Sequence, residues 1–207
     1  RISCHMSTGS PGTGGRLALA LGSAKSVFDE YDRFKAIGGA DGAVACNEMI
    51  ALWPGRLDAA VSLHPEKMAT WIWRRRHSGF PDPGLIVISD RYKDWFKHAG
   101  INVSLGFRPD LITPSLVPGQ TNAGSSGLFA VKVALVNLGF EKVVCCGIPM
   151  TMSGHIDSPE NPWTGAPRHQ GGWVECRPFL RGKVRSMSGW TAEFLGEPDR
   201  AWIERQA

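Results

Sequence analysis

Short apolar runs alternate with segments of helical periodicity along most of the chain. The first run, at residues 16–21, has the sequence Arg-Leu-Ala-Leu-Ala-Leu and ends at a Gly-Ser pair. In residues 26–37 the apolar side chains recur every three or four positions, which is typical of one face of a helix. A Gly-Gly pair ends this segment, and a second apolar run begins at Gly42. The pattern predicts a strand, a helix and a second strand.

The same alternation continues through the next hundred residues or so. Strands are predicted at residues 16–21, 42–46, 57–63, 85–89, 101–107 and 142–146, and helices at residues 26–37, 48–53, 65–77, 92–98 and 126–138. Nearly continuous apolar strands separated by helices are typical of a parallel sheet that is covered on both faces. The sequence therefore predicts an α/β fold, a Rossmann-like, doubly wound and mostly parallel sheet with helices on both faces.

Other segments lack this alternation. Residues 1–15 have the composition of a vector-derived remnant followed by a flexible lead-in, so we expect a single nucleotide-binding domain at residues 16–207. Residues 109–124 are rich in turn-forming residues. Residues 148–175 are rich in proline and glycine, which predicts a long C-terminal loop that acts as a lid. Short closing helices are predicted at residues 178–187 and 191–195.

Composition and charge exclude several classes of protein. Of the 207 residues, 43% are hydrophobic and 20% are charged, which excludes a disordered chain. No apolar run is long enough for a membrane span. The net charge of +4 is too small for a dedicated nucleic-acid binder. The basic run Arg74–Arg76 beside Trp71 and Trp73 is expected at the solvated end of a helix, with a nucleic-acid or phosphate patch as the alternative.

The cysteines bear on the compartment. There are five, an odd number, and none is in a C-x-x-C pair. Cys145 and Cys146 lie inside an apolar strand, where they behave as small hydrophobic residues. This pattern predicts a reducing compartment and a cytoplasmic protein, and a phage or mobile-element origin is compatible with the compact size.

Polar residues or glycines follow the predicted strands. In an open parallel sheet, ligands bind beyond the carboxyl ends of the strands, where the strand order reverses. The residues at these ends include Gly22, Ser23, Asn47, His64, Asp90 and Gly147. We therefore expect a binding site along this edge.

Two of these segments have the character of phosphate-binding turns. Gly22–Ser26 is made of small residues, and Ser26 is predicted to cap the helix that follows. The alternative is a tight strand-to-helix turn without a ligand. Ser125 and Ser126 precede Gly127 at the start of the predicted helix 126–138, where hydroxyls and free N–H groups favour an anion. A serine is also common there as a helix cap alone.

Three histidines are candidate catalytic bases. His155 and His169 lie in the proline- and glycine-rich segment, and His64 ends a predicted strand. An imidazole suits deprotonation of a hydroxyl near neutral pH. Asp157 would orient His155, and a metal site that also includes His169 is a weaker alternative. Each histidine could instead be solvated or structural.

Three tryptophans, Trp163, Trp173 and Trp190, lie in or near the same segment. Their rings would either stack on a base or sugar or close the segment onto the core. The sequence leaves both interpretations open.

Three parts of the chain together resemble a known group of enzymes. They are Gly22-Ser-Ala-Lys-Ser26, then Asn47, and then the segment from Ser125-Ser-Gly through Leu138-Gly-Phe to Cys146-Gly. The chain resembles the group that contains bacterial CMP-sialic-acid-dependent sialyltransferases and archaeal-type 6-hydroxymethylpterin diphosphokinases. The resemblance covers residues 16–150. Ala24 and Lys25 replace the Gly-Pro of that group's first turn, and Pro149 stands where the group has an Asp.

The resemblance implies a nucleotide pocket and a base. The implied pocket residues, with the glycines and the serine beside them, are Gly22, Ser23, Ser26, Asn47, Ser125, Ser126, Gly127 and Gly147. In the sialyltransferases a histidine beyond the last strand is the general base, and the candidates here are His155 and His169.

These observations lead to a functional expectation with two alternatives. We expect a nucleotide-dependent transferase, a glycosyltransferase that moves a sugar from a CMP- or other nucleotide-sugar donor to a hydroxyl. The acceptor would be a glycan, a small molecule or a modified nucleic acid. The first alternative is a diphosphokinase-like phosphoryl transferase, which alone would need Mg²⁺. The second is a non-catalytic nucleotide-binding module.

Overall fold

In the part of the chain that the structure describes, seven strands form one sheet and all of its strand pairs are parallel. The computed structural model describes residues 16–93, 106–122 and 124–205. In chain order the strands are β1 Leu17–Leu21, β2 Gly42–Cys46, β3 Ala59–Ser62, β4 Leu85–Ser89, β5 Leu111–Thr113, β6 Lys142–Cys146, β7 Gly154–His155, β8 Ser158–Pro162 and β9 Val184–Ser186. Across the sheet the order is β5-β4-β3-β2-β1-β6-β9, while β7 and β8 form a separate antiparallel hairpin.

Helices cover both faces of this sheet. They are α1 Val27–Ile37, α2 Met49–Leu52, α3 Pro65–His77, α4 Ser126–Lys132, α5 Ala166–Glu175, α6 Arg177–Leu180, α7 Gly189–Leu195 and α8 Arg200–Glu204. A π-helical turn, Val133–Asn137, extends α4. Among the described residues, none of the helices is long and apolar enough to cross a bilayer.

Residue size differs between the two faces of β1. Leu17, Leu19 and Leu21 pack into the core layer on the side of α1 and α3. Ala18 and Ala20 face the other layer, which contains Phe129 of α4. Since α4 packs across β1, β2 and β3, small side chains beneath it allow a close approach of helix and sheet. The position of α4 places its first residues over the carboxyl ends of the strands.

The fold prediction is confirmed, and several element boundaries differ. The predicted strands 42–46, 85–89 and 142–146 and the helix 65–77 have the observed bounds. The turn-rich segment 109–124 contains the edge strand β5, and the segment 178–187, predicted to be helical, contains the edge strand β9. Strands of three residues are too short to show a period. The predicted helix 92–98 and strand 101–107 lie largely outside the described residues.

The predicted lid at residues 148–175 is not an irregular loop. It contains the β7–β8 hairpin and then α5. The helix forms despite Gly171 and Gly172 because it packs against Gly124: a Cβ on Gly172 would lie 2.6 Å from the Gly124 Cα. Pro167 is in the first turn, where a missing N–H costs no helical hydrogen bond. The prediction of a loop was wrong because the glycines and prolines of this segment occupy positions that a hairpin and a closely packed helix tolerate.

The basic run on α3 also differs from its prediction. Arg75 is fully buried, whereas Trp73 is 58% exposed. The Arg76 side chain is paired with Asp82, at 2.8 Å from its Oδ1. Arg74 and Arg76 have the exposed position that was predicted for the whole run, and Arg75 does not. The cysteine prediction is confirmed for Cys145 and Cys146, which are both buried in strand β6 and unpaired.

Candidate active site

The strand order reverses between β1 and β6, and two glycines meet at this point. The Gly22 N–H donates to the Cys146 carbonyl at 2.8 Å. A Cβ on Gly22 would lie 2.4 Å from the Gly147 oxygen, and a Cβ on Gly147 would lie 2.3 Å from the Gly22 oxygen. Gly147 also has a φ of 69°, which disfavours other residues. The two chains leaving these strands can pack this closely only because both positions are glycine.

A buried carboxylate holds the surrounding loops together. Glu30, on α1, is 1% exposed. Its Oε2 accepts the Gly147 N–H at 2.7 Å, and its Oε1 accepts the hydroxyls of Ser26 and Ser188 at 2.5 Å each. Glu30 therefore joins the turns that follow β1, β6 and β9.

The hairpin is fastened to the turn after β1. The Lys25 N–H donates to the Gly154 carbonyl at 3.1 Å, and the Ile156 N–H donates to the Ser23 carbonyl at 2.8 Å. Ala24 and His155 form an antiparallel bridge. These backbone bonds bring a segment that is far away in sequence over the carboxyl edge of the sheet.

A cleft of about 340 Å³ lies between this hairpin, α4 and the strand ends. It is lined by nearly all of the predicted site residues, namely Gly22, Ser23, Asn47, His64, Ser125, Ser126, Gly127, Gly147, His155 and His169. These residues come from seven separate parts of the chain. The structure therefore places them in one concave site, while their roles stay predictions.

Ser26 is the exception among the predicted residues. It does not line the cleft, and its side chain makes no capping bond to α1. Its hydroxyl donates to Glu30 instead. The predicted cap is wrong because Ser26 already has α-helical dihedral angles, whereas a capping residue is normally extended.

Asn47 is oriented by a chain of hydrogen bonds. The Ser62 hydroxyl accepts the His64 N–H at 2.9 Å and donates its own hydrogen to Asn47 Oδ1 at 3.0 Å. With its oxygen held in this way, the Asn47 amide has its two N–H donors on the other side of the group. Asn47 also has a φ of 55°, a conformation that asparagine tolerates better than most residues.

The two serines at the start of α4 have different surroundings. Ser125 caps the helix, because its hydroxyl accepts the Leu128 N–H at 3.3 Å. The same oxygen accepts the Trp173 Nε1–H at 3.3 Å. The Ser126 hydroxyl accepts the Leu63 N–H at 3.3 Å, which ties α4 to the end of β3. Both hydroxyls retain a hydrogen to donate, and Gly127 beside them packs against Ile148.

His169 on α5 has a defined tautomer in its neutral form. Its Nδ1 lies 2.8 Å from the Gly124 carbonyl oxygen, which can only accept, so Nδ1 carries the hydrogen. Nε2 is then the nitrogen with the free lone pair. The ring stacks on Trp163, with centroids 5.5 Å apart and an angle of 17° between the planes. His169 is therefore held in one orientation at the wall of the cleft.

The other two histidines are less constrained. His155 contacts Trp163 edge-on, with ring centroids 5.7 Å apart. The predicted pairing of His155 with Asp157 is not among the hydrogen bonds of the described residues, although both line the cleft. The His64 side chain is 51% exposed, and its Nδ1 lies 3.4 Å from Glu66. No set of three His, Cys, Asp or Glu side chains in the described ranges could hold a metal ion.

The three tryptophans separate into two groups. Trp163 lines the cleft between His155 and His169. Trp173 is fully buried in the core, and Trp190 stacks on Phe194, with centroids 4.7 Å apart. The stacking interpretation therefore applies only to Trp163.

Sequence reasoning missed some residues that line the cleft. Lys67 and Glu48 contribute charged side chains to it. Lys67 lies in the first turn of α3, three positions after His64. That spacing from a strand end could have identified it, since residues three apart on a helix share a face. Asp90, which was expected at a strand end, does not line the cleft.

Comparison with solved structures identifies the fold. No protein-family model matches the chain, and no curated protein matches it either. Similar structures include a variant of the sialyltransferase CstII in complex with CMP, at a TM-score of 0.54 and 13% identity, covering 89% of this chain and 88% of that one. The chain has a sialyltransferase-like fold.

Two further structures with this sialyltransferase-like fold differ in their ligands. CstII from Campylobacter jejuni in complex with the substrate analogue CMP-3FNeuAc has a TM-score of 0.52 at 14% identity, covering 93% of this chain and 89% of that one. CstII in complex with a trisaccharide acceptor and CMP has a TM-score of 0.54 at 13% identity, covering 89% and 87%. The resemblance seen in the sequence is confirmed at the level of the fold.

Proposed function

We propose that this protein is a glycosyltransferase that moves a sugar from a nucleotide-sugar donor, with CMP as the first nucleotide to test, to a hydroxyl acceptor. The observation that carries the proposal is His169, whose Nδ1–H is held by the Gly124 carbonyl. This bond leaves Nε2 as a base in a cleft at the reversal of the strand order. The CMP complexes of the similar CstII structures support the choice of nucleotide.

The proposed reaction has one proton transfer and one displacement. His169 Nε2 takes the proton of the acceptor hydroxyl while that oxygen forms a bond to the anomeric carbon of the donor sugar. The bond between this carbon and the phosphate oxygen breaks, and the nucleotide leaves with the electron pair as an anion. His169 later releases its proton to solvent.

The other residues of the cleft would hold the donor. The hydroxyls of Ser125 and Ser126 and the free N–H groups at the start of α4 would bind the departing phosphate, where the helix dipole favours negative charge. The amide N–H groups of Asn47 would donate to the nucleotide. Trp163 offers a flat apolar ring beside the base for a sugar to pack against.

The acceptor class follows less directly from the residues. A glycan is the acceptor class to test first, since one of the similar CstII structures is a complex with a trisaccharide acceptor, and a small hydroxyl compound is the second. A nucleic-acid acceptor has less support than the sequence suggested. Arg75 is buried and Arg76 is paired with Asp82, so the basic run provides only Arg74 as an unpaired, exposed arginine among the described residues.

Nucleotide binding is the first test. Thermal unfolding would be measured with CMP, CDP, UDP, GDP, ADP and ATP, each with and without Mg²⁺. CMP at about 100 times its Kd should raise the Tm by roughly 5–10 °C, without need for metal. A shift only with ATP and Mg²⁺ would favour the phosphoryl-transfer alternative. No shift with any nucleotide would contradict the proposal.

The base is tested by exchanging the histidines. His169→Asn should lower the rate of CMP release from CMP-sialic acid about 10²–10⁴-fold, while the CMP-induced Tm shift remains. His77→Asn is the matched control, because His77 also has its Nδ1 on a carbonyl, that of Trp73, but lies outside the cleft. Should only His155→Asn abolish turnover, the base would be His155. Nucleotide binding with no turnover in the unmodified protein would indicate the non-catalytic module.

A further inference from the structure

Glu175, at the end of α5, accepts hydrogen bonds from Thr121 and Asn122, which precede Gly124 in the chain. Its Oε2 accepts the N–H groups of Thr121 and Asn122 at 2.7 and 3.0 Å. Its Oε1 accepts the Thr121 hydroxyl at 2.8 Å and the Asn122 side-chain amide. The carboxylate thus accepts four hydrogen bonds although it lies on the surface. These four hydrogen bonds hold Thr121 and Asn122 in a fixed position against the end of α5.

The same helix contacts this segment at two further points. Gly172 packs against Gly124, and a Cβ on Gly172 would lie 2.6 Å from both the Gly124 Cα and N. His169 donates its Nδ1–H to the Gly124 carbonyl. His169, Gly172 and Glu175 are spaced three residues apart and share one face of α5. The hydrogen bond from His169 to the Gly124 carbonyl defines the tautomer of the candidate base.

We propose that Glu175 is a positioning residue for His169: by holding Thr121 and Asn122 along α5, it keeps the Gly124 carbonyl on His169 Nδ1. The inference rests on the proposed function for its catalytic meaning. Its structural part, the control of the His169 tautomer, stands without that function. Glu175 itself touches neither the cleft nor His169.

The charge of Glu175 persists over a wide pH range. The hydrogen bonds from the backbone N–H groups of Asn122 and Thr121 lower the pKa of Glu175 to about 2. The carboxylate is therefore ionised wherever the enzyme would be assayed, and the four bonds it accepts do not vary with pH there.

The tautomer of His169 is measured directly by ¹⁵N NMR of the histidine side chains. The spectra are recorded at about pH 8, and the His169 signals are assigned from their loss in His169→Gln. The unmodified protein should show the Nδ1-protonated form. Glu175→Ala, which removes all four acceptor bonds, should give a mixture of both tautomers, and Glu175→Gln, which keeps one oxygen, an intermediate mixture. An unchanged tautomer in Glu175→Ala would overturn the proposal.

Turnover provides the second readout. With CMP-sialic acid as donor, Glu175→Ala should lower kcat by on the order of ten- to a hundredfold and leave KM for the donor within about twofold, because a misplaced base slows chemistry without removing donor contacts. Glu193→Ala is the matched control, since Glu193 is an exposed glutamate on α7. A fall in kcat that Glu193→Ala reproduces would contradict the proposal.

Failure of the proposed function remains distinguishable from failure of this inference. If the unmodified protein turns over no donor but Glu175→Ala changes the His169 tautomer, the positioning role of Glu175 stands and the proposed transferase activity is wrong. A Glu175→Ala protein that does not fold is replaced by Thr121→Val, which removes one donor of the same contact and leaves α5 intact. That variant should shift the tautomer in the same direction, and an unchanged tautomer would again overturn the inference.

Discussion

At the scale of single residues, Arg75 is buried and binds backbone carbonyls, whereas its neighbours Arg74 and Arg76 are exposed. Its guanidinium donates to the carbonyls of Trp53 at 2.7 Å, Gly55 at 2.6 Å and Pro81 at 2.5 Å, and to that of Ile50 at 3.2 Å. A lysine keeps the charge but cannot reach four acceptors in this fixed fork. We expect Arg75→Lys to lower the free energy of unfolding by about 2–4 kcal/mol, measured by urea denaturation.

The neighbouring arginine supplies the control. Arg74→Lys changes an exposed side chain on the same turn of α3 and should stay within about 0.5 kcal/mol of the unmodified protein. Equal effects of the two substitutions would show that the carbonyl contacts of Arg75 contribute little.

The sequence predicts some residue roles better than others. Asn47 and Gly147 could be assigned to the cleft because they directly follow strands, and the carboxyl ends of parallel strands share one edge. The burial of Arg75 could not be predicted, because its acceptors lie in α2, just after α2 and just after α3, and they come together only after folding. Likewise, serine is a common helix cap, but the Ser26 hydroxyl donates to Glu30 instead. Glu30 becomes buried only when Gly147 and Ser188 pack around it.

At the scale of elements, the contact between the turns after β1 and β6 can be tested by two glycine substitutions. Gly147 and Gly139 both have a φ of 69°. A Cβ on Gly147 would lie 2.3 Å from the Gly22 oxygen and 2.7 Å from the Val27 Cβ, whereas a Cβ on Gly139 meets nothing within 4 Å. Both alanine variants incur the backbone penalty of about 1–2 kcal/mol. Gly147→Ala should lose about 1–3 kcal/mol more from overpacking.

Ligand binding should separate these two variants further. Gly147 lines the cleft and Gly139 does not, so Gly147→Ala should weaken the CMP-induced Tm shift while Gly139→Ala leaves it unchanged. If the two variants unfold at the same urea concentration, the close packing of Gly22 and Gly147 does not control this part of the sheet.

Elements could be predicted where a helix is long enough to show its apolar period, or where a strand is a nearly continuous apolar run between turn-forming residues. The bounds of α3, β2, β4 and β6 agree with the sequence prediction for this reason. α5 was missed because its glycines and proline lower helix propensity, and the close packing on Gly124 that requires glycine is a tertiary contact. The π-helical turn after α4 was missed because the apolar period of a helix does not show a single i+5 hydrogen bond, such as that from Leu138 to Val133.

At the scale of the whole molecule, the four described cysteines report on both faces of the sheet. Cys46, Cys145 and Cys176 belong to the core layer under α4, and Cys146 belongs to the layer under α1. Burial raises the pKa of Cys46 to about 12 and that of Cys176 to about 11, so their reactive thiolates are scarce at neutral pH. Burial also raises the pKa values of Cys145 and Cys146. In a Cys4→Ser variant, native labelling with a thiol reagent should therefore require unfolding.

Nucleotide binding makes this labelling a test of the whole fold. A ligand that binds only the native state, at about 100 times its Kd, lowers the unfolded population about a hundredfold. CMP should therefore slow the labelling of all four cysteines by about the same factor if one cooperative transition exposes both layers. Mass spectrometry of the labelled peptides would compare Cys46, which lines the cleft, with Cys145 and Cys146 in β6. Protection confined to Cys46 would mean that CMP shields only the cleft. The two core layers would then unfold without first releasing CMP, and a single cooperative transition would be excluded.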